Sequence, residues 1–214
     1  MIEIYHLDSE IIVCRKPAGV LSEGEGPDCL PVLLAEQCGG RVFPVHRLDR
    51  GTGGLMVFAR TQKAAAALSR AVQEKQLKKE YFALVSGSPI EKQGEMCDYL
   101  FKDSRKDKVF VVKRPRKGVR EARLTWRVLW QDGENTLVRV ALDTGRTHQI
   151  RVQFSSRGMP LWGDGKYGSR VKGALALFSC GLAFPHPKTG KEMRFEARPE
   201  GAPWDGLQGD TYDL

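Results

Sequence analysis

The chain has 214 residues, 41% of them hydrophobic, enough for one full core or two small ones, and this composition excludes disordered and fibrous classes. Lys and Arg number 34 against 26 Asp and Glu, and the resulting net charge of +8 favours a polyanionic partner, of which nucleic acid is the commonest. No apolar run approaches the ~20 residues that cross a bilayer, and the N-terminal MIEIYHLDSEI lacks the basic, apolar and small-residue succession of a secretion signal.

In chain order, IEIYH and EIIVCRKPAG predict two short strands around the turn LDS. Lys16-Pro17-Ala18-Gly19 ends the second, because proline cannot continue a ladder and glycine permits a tight turn. SEGEGPDCL is loop, and LPVLLAEQCGG predicts a short helix closed by Gly39 and Gly40. HRLDRGTGG, residues 46 to 54, then packs one carboxylate between arginines and ahead of glycines, and runs into a buried strand, LMVFA. A surface ion pair would account for the charges but not for the glycines, whereas an active-site carboxylate accounts for both.

TQKAAAALSRAVQEKQLKKEY predicts a helix capped by Thr61, with Ala64, Ala67, Leu68, Ala71 and Val72 as its apolar stripe and Lys63, Arg70, Lys75 and Lys78 in water. EYFALVSG is the next strand. The remaining strands are MCDYLF, KVFVV, ARLTWRVLW, NTLVRVALD, ALALFSCGLAF and EMRFEA, with a hairpin turn at Asp132-Gly133. TGRTHQIRVQFSSRG is the one later helix, capped by Thr144 or Thr147 and closed by Gly158. A single α+β domain spanning 1–214, with a large and mainly antiparallel sheet, is expected. Five cysteines, odd in number and without a CxxC pair, and four histidines without HExxH give no disulfide framework and no metal site. The expectation is a cytoplasmic protein that engages no membrane and no metal.

Residues 102 to 123 hold ten Lys or Arg against three acids. A charge run of this kind is usually a solvated face, but the excess exceeds what solubility requires, and the favoured reading is a loop that grips phosphates through Lys113, Arg114, Arg116 and Lys117.

Four separated stretches resemble, as a set and in order, the RluA-type family of RNA pseudouridine synthases. They are Lys16-Pro17-Ala18-Gly19 for KPxG, His46 through Gly54 for HRLDxxTSG, Lys79-Glu80-Tyr81 with Ala83-Leu84-Val85 for KxYxALV, and Thr144 through Gln153 for TGRxHQIRxH. The resemblance covers nearly the whole chain. It implies a pseudouridine-synthase catalytic fold, a large mixed but mainly antiparallel sheet with a central cleft and flanking helices. It implies isomerisation of a uridine in ribosomal or transfer RNA without cofactor or metal, the base being detached at N1 and rejoined to the ribose through C5.

By the same correspondence Asp49 is the essential carboxylate, acting as nucleophile or by removing a ribose proton, and Tyr81 lies against the target base. Arg151 pairs with Asp49. An arginine suits that place because its planar fork holds a carboxylate in one orientation and stays charged. Arg47 is the residue that enters the RNA stack when the uridine flips out, as it must for its reacting atoms to be reached. Arg50 and Arg146 are further RNA contacts, and His46 and His148 read as hydrogen-bonded structural histidines.

Three positions depart from the family pattern. Gly53 stands in place of serine, Gln153 in place of histidine, and the strand LALFSCGLAF lacks a histidine common there. No separate RNA-binding module is expected ahead of the catalytic domain, and a monomer is expected. Two other classes compete: an RNA-binding protein that has lost catalysis, against which Asp49, Tyr81 and Arg151 stand intact, and a glycosidase, which would need a second carboxylate in a matching motif.

Overall fold

The computed structural model describes residues 1–205 and residue 207. The chain runs through β1 (Glu3–Leu7), β2 (Ile11–Lys16), α1 (Leu30–Cys38), β3 (Phe43–Pro44), β4 (Gly53–Ala59), α2 (Gln62–Gln73) and β5 (Lys78–Ser86). It continues through β6 (Gln93–Asp103), β7 (Lys108–Val112), β8 (Val119–Gln131), β9 (Asn135–Leu142), α3 (Gln149–Ser155), β10 (Leu177–Pro185) and β11 (Glu192–Glu196). The α+β expectation holds: the sheet is mixed, and the described residues form three α-helices. None of these is long and apolar enough to cross a membrane.

The chain divides into two compact units. The first comprises Met1–Lys79 and Phe178–Pro199. In it β2 lies antiparallel between β1 and β4, β10 joins β4 in parallel, and β11 pairs antiparallel with β10. Every residue of β4 is buried, which is why GGLMVFA reads as one apolar run instead of an alternating strand. Helix α2 packs on β4, burying Ala64, Leu68 and Ala71. Its cap is Thr61, whose hydroxyl accepts from the Ala64 amide at 3.0 Å and donates to Glu10 at 3.1 Å.

Parallel pairing of β4 with β10 makes one glycine obligatory. Gly54 has φ +113°, and a Cβ there would run into the backbone of Ser179. Gly53 has no such need: a Cβ would sit 3.4 Å from the Lys16 carbonyl and 3.5 Å from the Phe178 ring, ordinary contact distances. A Cβ is therefore tolerated at position 53, where the family has serine.

The second unit comprises Glu80–Leu177 and the segment from Glu200. Its strands lie in the order β5, β9, β8, β6, β7, and β9, β8, β6 and β7 pair antiparallel. The β8–β9 hairpin turns as expected at Asp132-Gly133. Gly133 takes φ +95°, and the Asp132 carboxylate accepts from the amides of Glu134 and Asn135. Along β8, Ala122, Leu124 and Trp126 are buried while Glu121, Arg123 and Thr125 are exposed. Helix α3 covers the buried side, with Phe154 edge-on to Trp126 at 6.1 Å and Val152 in a cluster with Leu100, Val109, Ala122 and Tyr167.

Two helix boundaries differ from the sequence expectation. Helix α2 stops at Gln73: the Glu74 amide closes on Arg70, Lys75 takes φ +59°, and Leu77 is buried, so Lys78 is exposed from a strand and not from a helix. Helix α3 starts without a threonine cap. Its N-cap is His148 in the left-handed region (φ +51°) with no side-chain capping bond, and the Thr144 hydroxyl is engaged with Gln149 and with the Arg123 amide.

Gly54→Ala is expected to lower the free energy of unfolding by about 2–3 kcal/mol, read from urea titrations, whereas Gly53→Ser changes it by less than about 1 kcal/mol.

Candidate active site

Residues 45–52 link β3 to β4 and carry Asp49, which is half-buried. Their backbone is fastened by the segment that follows β2. Lys16 is fully buried, and its ammonium donates to the carbonyls of Pro17 (2.9 Å), Val20 (2.7 Å) and Arg50 (3.2 Å). The Gly19 amide donates to the Arg50 carbonyl at 2.8 Å, and Arg50 Nε donates back to the Gly19 carbonyl at 2.9 Å. Ser22 Oγ donates to the Leu48 carbonyl at 2.9 Å, and the Thr52 amide to the Asp49 carbonyl at 3.0 Å. The three consecutive carbonyls around the carboxylate, those of Leu48, Asp49 and Arg50, are all held.

Burial pushes the Lys16 ammonium down to about 8, and the negative charge of Asp49 works against that shift. Lys16 therefore stays protonated at neutral pH, a buried cation whose three protons meet three carbonyls and whose field reaches Asp49. The sequence reading took Lys16 only as a strand end and motif member. The overlooked signal was its place at the end of an apolar strand: Ile11, Ile12, Val13 and Cys14 of β2 are all fully buried.

The flanking residues of the loop divide by exposure. Arg47 is exposed, with Nη1 2.7 Å from Glu23, and Arg50 is exposed with its Nε committed to Gly19. His46 turns inward. Its Nε2 accepts from the Val57 amide at 3.1 Å, while its Nδ1 is sealed from solvent and lacks a hydrogen-bond partner among the described residues. Burial, with the nearby Lys79 charge adding, pushes its pKa down to about 3. Protonating Nε2 would set two donors against each other, so this ring is neutral and structural.

In the second unit, Tyr81 is buried on β5 and Arg151 is buried on α3. Arg151 Nε and Nη2 donate to the two oxygens of Asp164 at 2.7 and 2.9 Å. Asp164 is 2% exposed, and the Tyr167 ring lies 5.0 Å from the guanidinium. The Tyr167 hydroxyl accepts from the Val109 amide at 2.9 Å and stands 2.9 Å from His148 Nδ1. Asp164 and Tyr167 were missed by sequence reading. They lie in GDGKYG, where a lone acid between glycines was the available signal. The doubled bond fixes the plane of the Arg151 fork, which a single contact would not.

Gln149 organises the loop before α3, accepting from the Arg146 amide and donating to the Arg123 carbonyl. Arg146 is exposed, and its Nε donates to the Glu121 carbonyl at 2.9 Å. At the departure Gln153, the buried amide donates to Asp98 at 2.7 Å, a bond a histidine N–H also makes, while its Oε1 is buried without a partner among the described residues. Lys113, Arg114, Arg116 and Lys117 are exposed in the loop between β7 and β8.

The RNA pseudouridylate synthase family model matches residues 10–156. The chain belongs to that family of isomerases, which act on uridine in RNA, and its relatives place it with the RluA-type members. One relative is an RNA pseudouridine synthase of Bacillus subtilis, 33% identical over 210 residues, covering 92% of this chain and 68% of the relative. Another is the dual-specificity RNA pseudouridine synthase RluA of Pasteurella multocida, 34% identical over 216 residues, covering 92% of this chain and 93% of the relative. Among solved structures, human RNA pseudouridylate synthase domain containing 4 shares the fold, with a TM-score of 0.77 at 23% identity over 92% of this chain and 88% of the human one. The chain spans about two thirds of the length of several curated relatives it matches.

His46, its Nδ1 sealed from solvent, makes stability depend on pH with a definite sign. Its folded pKa of about 3 lies below the ordinary 6.5, so between those values the unfolded chain binds the extra proton. Its contribution is complete above pH 6.5 and is lost as pH falls toward 3, with a limiting slope of about 1.4 kcal/mol per pH unit. Urea midpoints measured between pH 4 and 7 are expected to fall less steeply for His46→Gln than for the wild type.

Proposed function

We propose that this chain isomerises a uridine of ribosomal or transfer RNA to pseudouridine with Asp49 as its essential carboxylate. The observation that carries the proposal is the fastening of the Asp49 loop. A half-buried carboxylate whose neighbouring carbonyls are all hydrogen-bonded, set beside a buried ammonium, is held in the manner a reacting group requires. A surface aspartate needs none of this support.

The reaction breaks the C1′–N1 bond and forms C1′–C5; N1 gains a proton and C5 loses one, so no net oxidation, reduction or hydrolysis occurs. Each route to that exchange begins with an ionised carboxylate at a fixed distance from the ribose or the base. Correspondence with the family motifs assigns Arg151 as the cation that pairs with Asp49, and the bond to Asp164 gives that cation a set orientation. The same correspondence lays Tyr81 against the base, where its ring stacks and its hydroxyl is placed for proton transfer at C5.

The target uridine leaves the RNA stack to reach Asp49, and the exposed Arg47 fills the gap it leaves. Arg50, Arg146 and the loop cations Lys113, Arg114, Arg116 and Lys117 hold the RNA backbone. Support for the substrate class comes from relatives: one similar chain of Vibrio cholerae is a ribosomal large subunit pseudouridine synthase, and the similar RluA of Pasteurella multocida is dual-specific.

Incubation of uridine-containing transcripts with the Asp49→Ala variant is expected to give roughly a thousandfold less pseudouridine than the wild type, or none. RNA affinity should stay within about threefold, since one carboxylate among many phosphate-binding cations contributes little to it. Undiminished product from the variant would refute the assignment.

A further inference from the structure

Strands β6 and β7 form a hairpin with one face turned to the core. Leu100 and Val109 sit on that face, in the cluster completed by Ala122 of β8, Val152 of α3 and Tyr167. Side chains alternate along a strand, so Phe101 and Phe110, each one residue on, take the opposite face. They are direct cross-strand partners. Phe110 is 36% exposed and is the one aromatic among the exposed large hydrophobic residues described.

Cations cover both rings. The Arg116 guanidinium lies 5.0 Å from the Phe101 ring centre and the Lys106 ammonium 5.9 Å from that of Phe110, while the Lys108 ammonium stands 5.9 Å from Phe110 and 5.3 Å from Tyr167. The three acids of this stretch are committed elsewhere. Asp103 accepts from the backbone amides of Arg105 and Lys106, Asp107 pairs with Lys166 at 2.6 Å, and Glu121 pairs with Arg123 at 2.8 Å. Among the described residues, the cations over the rings thus have no carboxylate partner. Like charges gathered around these two rings repel one another, and that cost is recovered when a polyanion arrives.

An aromatic pair with a guanidinium stacked on it is also a surface on which unstacked bases lie flat. An acidic peptide would satisfy the charges but has no use for the rings. An apolar protein partner would use the rings but would bury the charges unpaired. Unpaired RNA uses both.

We propose that the outer face of the β6–β7 hairpin is a stacking platform for unpaired bases of the substrate RNA. One base lies on Phe110 and another on the Arg116 plane that Phe101 backs, while Lys113, Arg114 and Lys117 hold the intervening phosphates. The proposal rests on the RNA reading given above and adds a substrate property: a duplex offers no unstacked base, so the enzyme selects uridines in loops or single strands over uridines in helices.

The test compares binding of a labelled unpaired RNA oligomer with binding of a duplex RNA of equal phosphate number. Phe110→Leu keeps apolar bulk on β7 but removes the π face. Its Kd for the unpaired oligomer is expected to rise about tenfold, with duplex binding and the salt slope unchanged, and Phe110→Trp should restore wild-type affinity. A leucine variant that binds the unpaired oligomer like the wild type overturns the platform, as does one that loses duplex binding equally. A wild-type protein that binds neither RNA overturns the RNA reading and the platform with it, whereas failure of the leucine substitution alone leaves that reading standing.

Discussion

One buried ammonium organises the first unit. Lys16 sits at the end of β2 with no solvent exposure, and an unpaired charge there would cost several kcal/mol. Three carbonyls and the nearby Asp49 charge offset that cost. Two of the carbonyls, of Pro17 and Val20, belong to the turn after β2, and the third, of Arg50, belongs to the loop before β4. The ammonium is the point where two stretches far apart in sequence become one rigid piece. Gly19 and Arg50 reinforce it with a reciprocal pair of bonds, and Ser22 extends it to Leu48. The placement of Asp49 follows from these bonds.

The second unit uses a buried ion pair to a similar end. Arg151 and Asp164 are both shielded from water and joined by two bonds, so removal of either would leave a stranded charge. The exposed Arg47–Glu23 pair stands in contrast: both side chains are more than half exposed, and such pairs are worth about 0–1 kcal/mol. Arg47 is held loosely, whereas Arg151 is held in place. Arg47 and Arg151 thus differ in solvation as much as in position.

Much of this fold could be read in the residues because its local rules agree with its packing. The buried run LMVFA, the Thr61 cap and the Asp132-Gly133 turn each state their conformation within a few residues. Readings failed where a distant partner decided. The lysines that follow α2 have good helix propensity, yet Leu77 is drawn into the core and the chain leaves the helix before it. Thr144 is a sound cap by type, but Gln149 and Arg123 claim its hydroxyl. Asp164 could not be matched to Arg151 by spacing, since only the folded loop brings them together. For the same reason Gly53 looked anomalous until the strand beside it showed room for the missing side chain.

Lys16 holds the Asp49 loop in place, and amide hydrogen exchange on Lys16→Met tests this most directly. The account predicts that the Gly19 and Thr52 amides, bonded to the carbonyls of Arg50 and Asp49, exchange at least about tenfold faster in the variant while those of β8 and β9 keep their protection. Unchanged protection of Gly19 and Thr52 would contradict it.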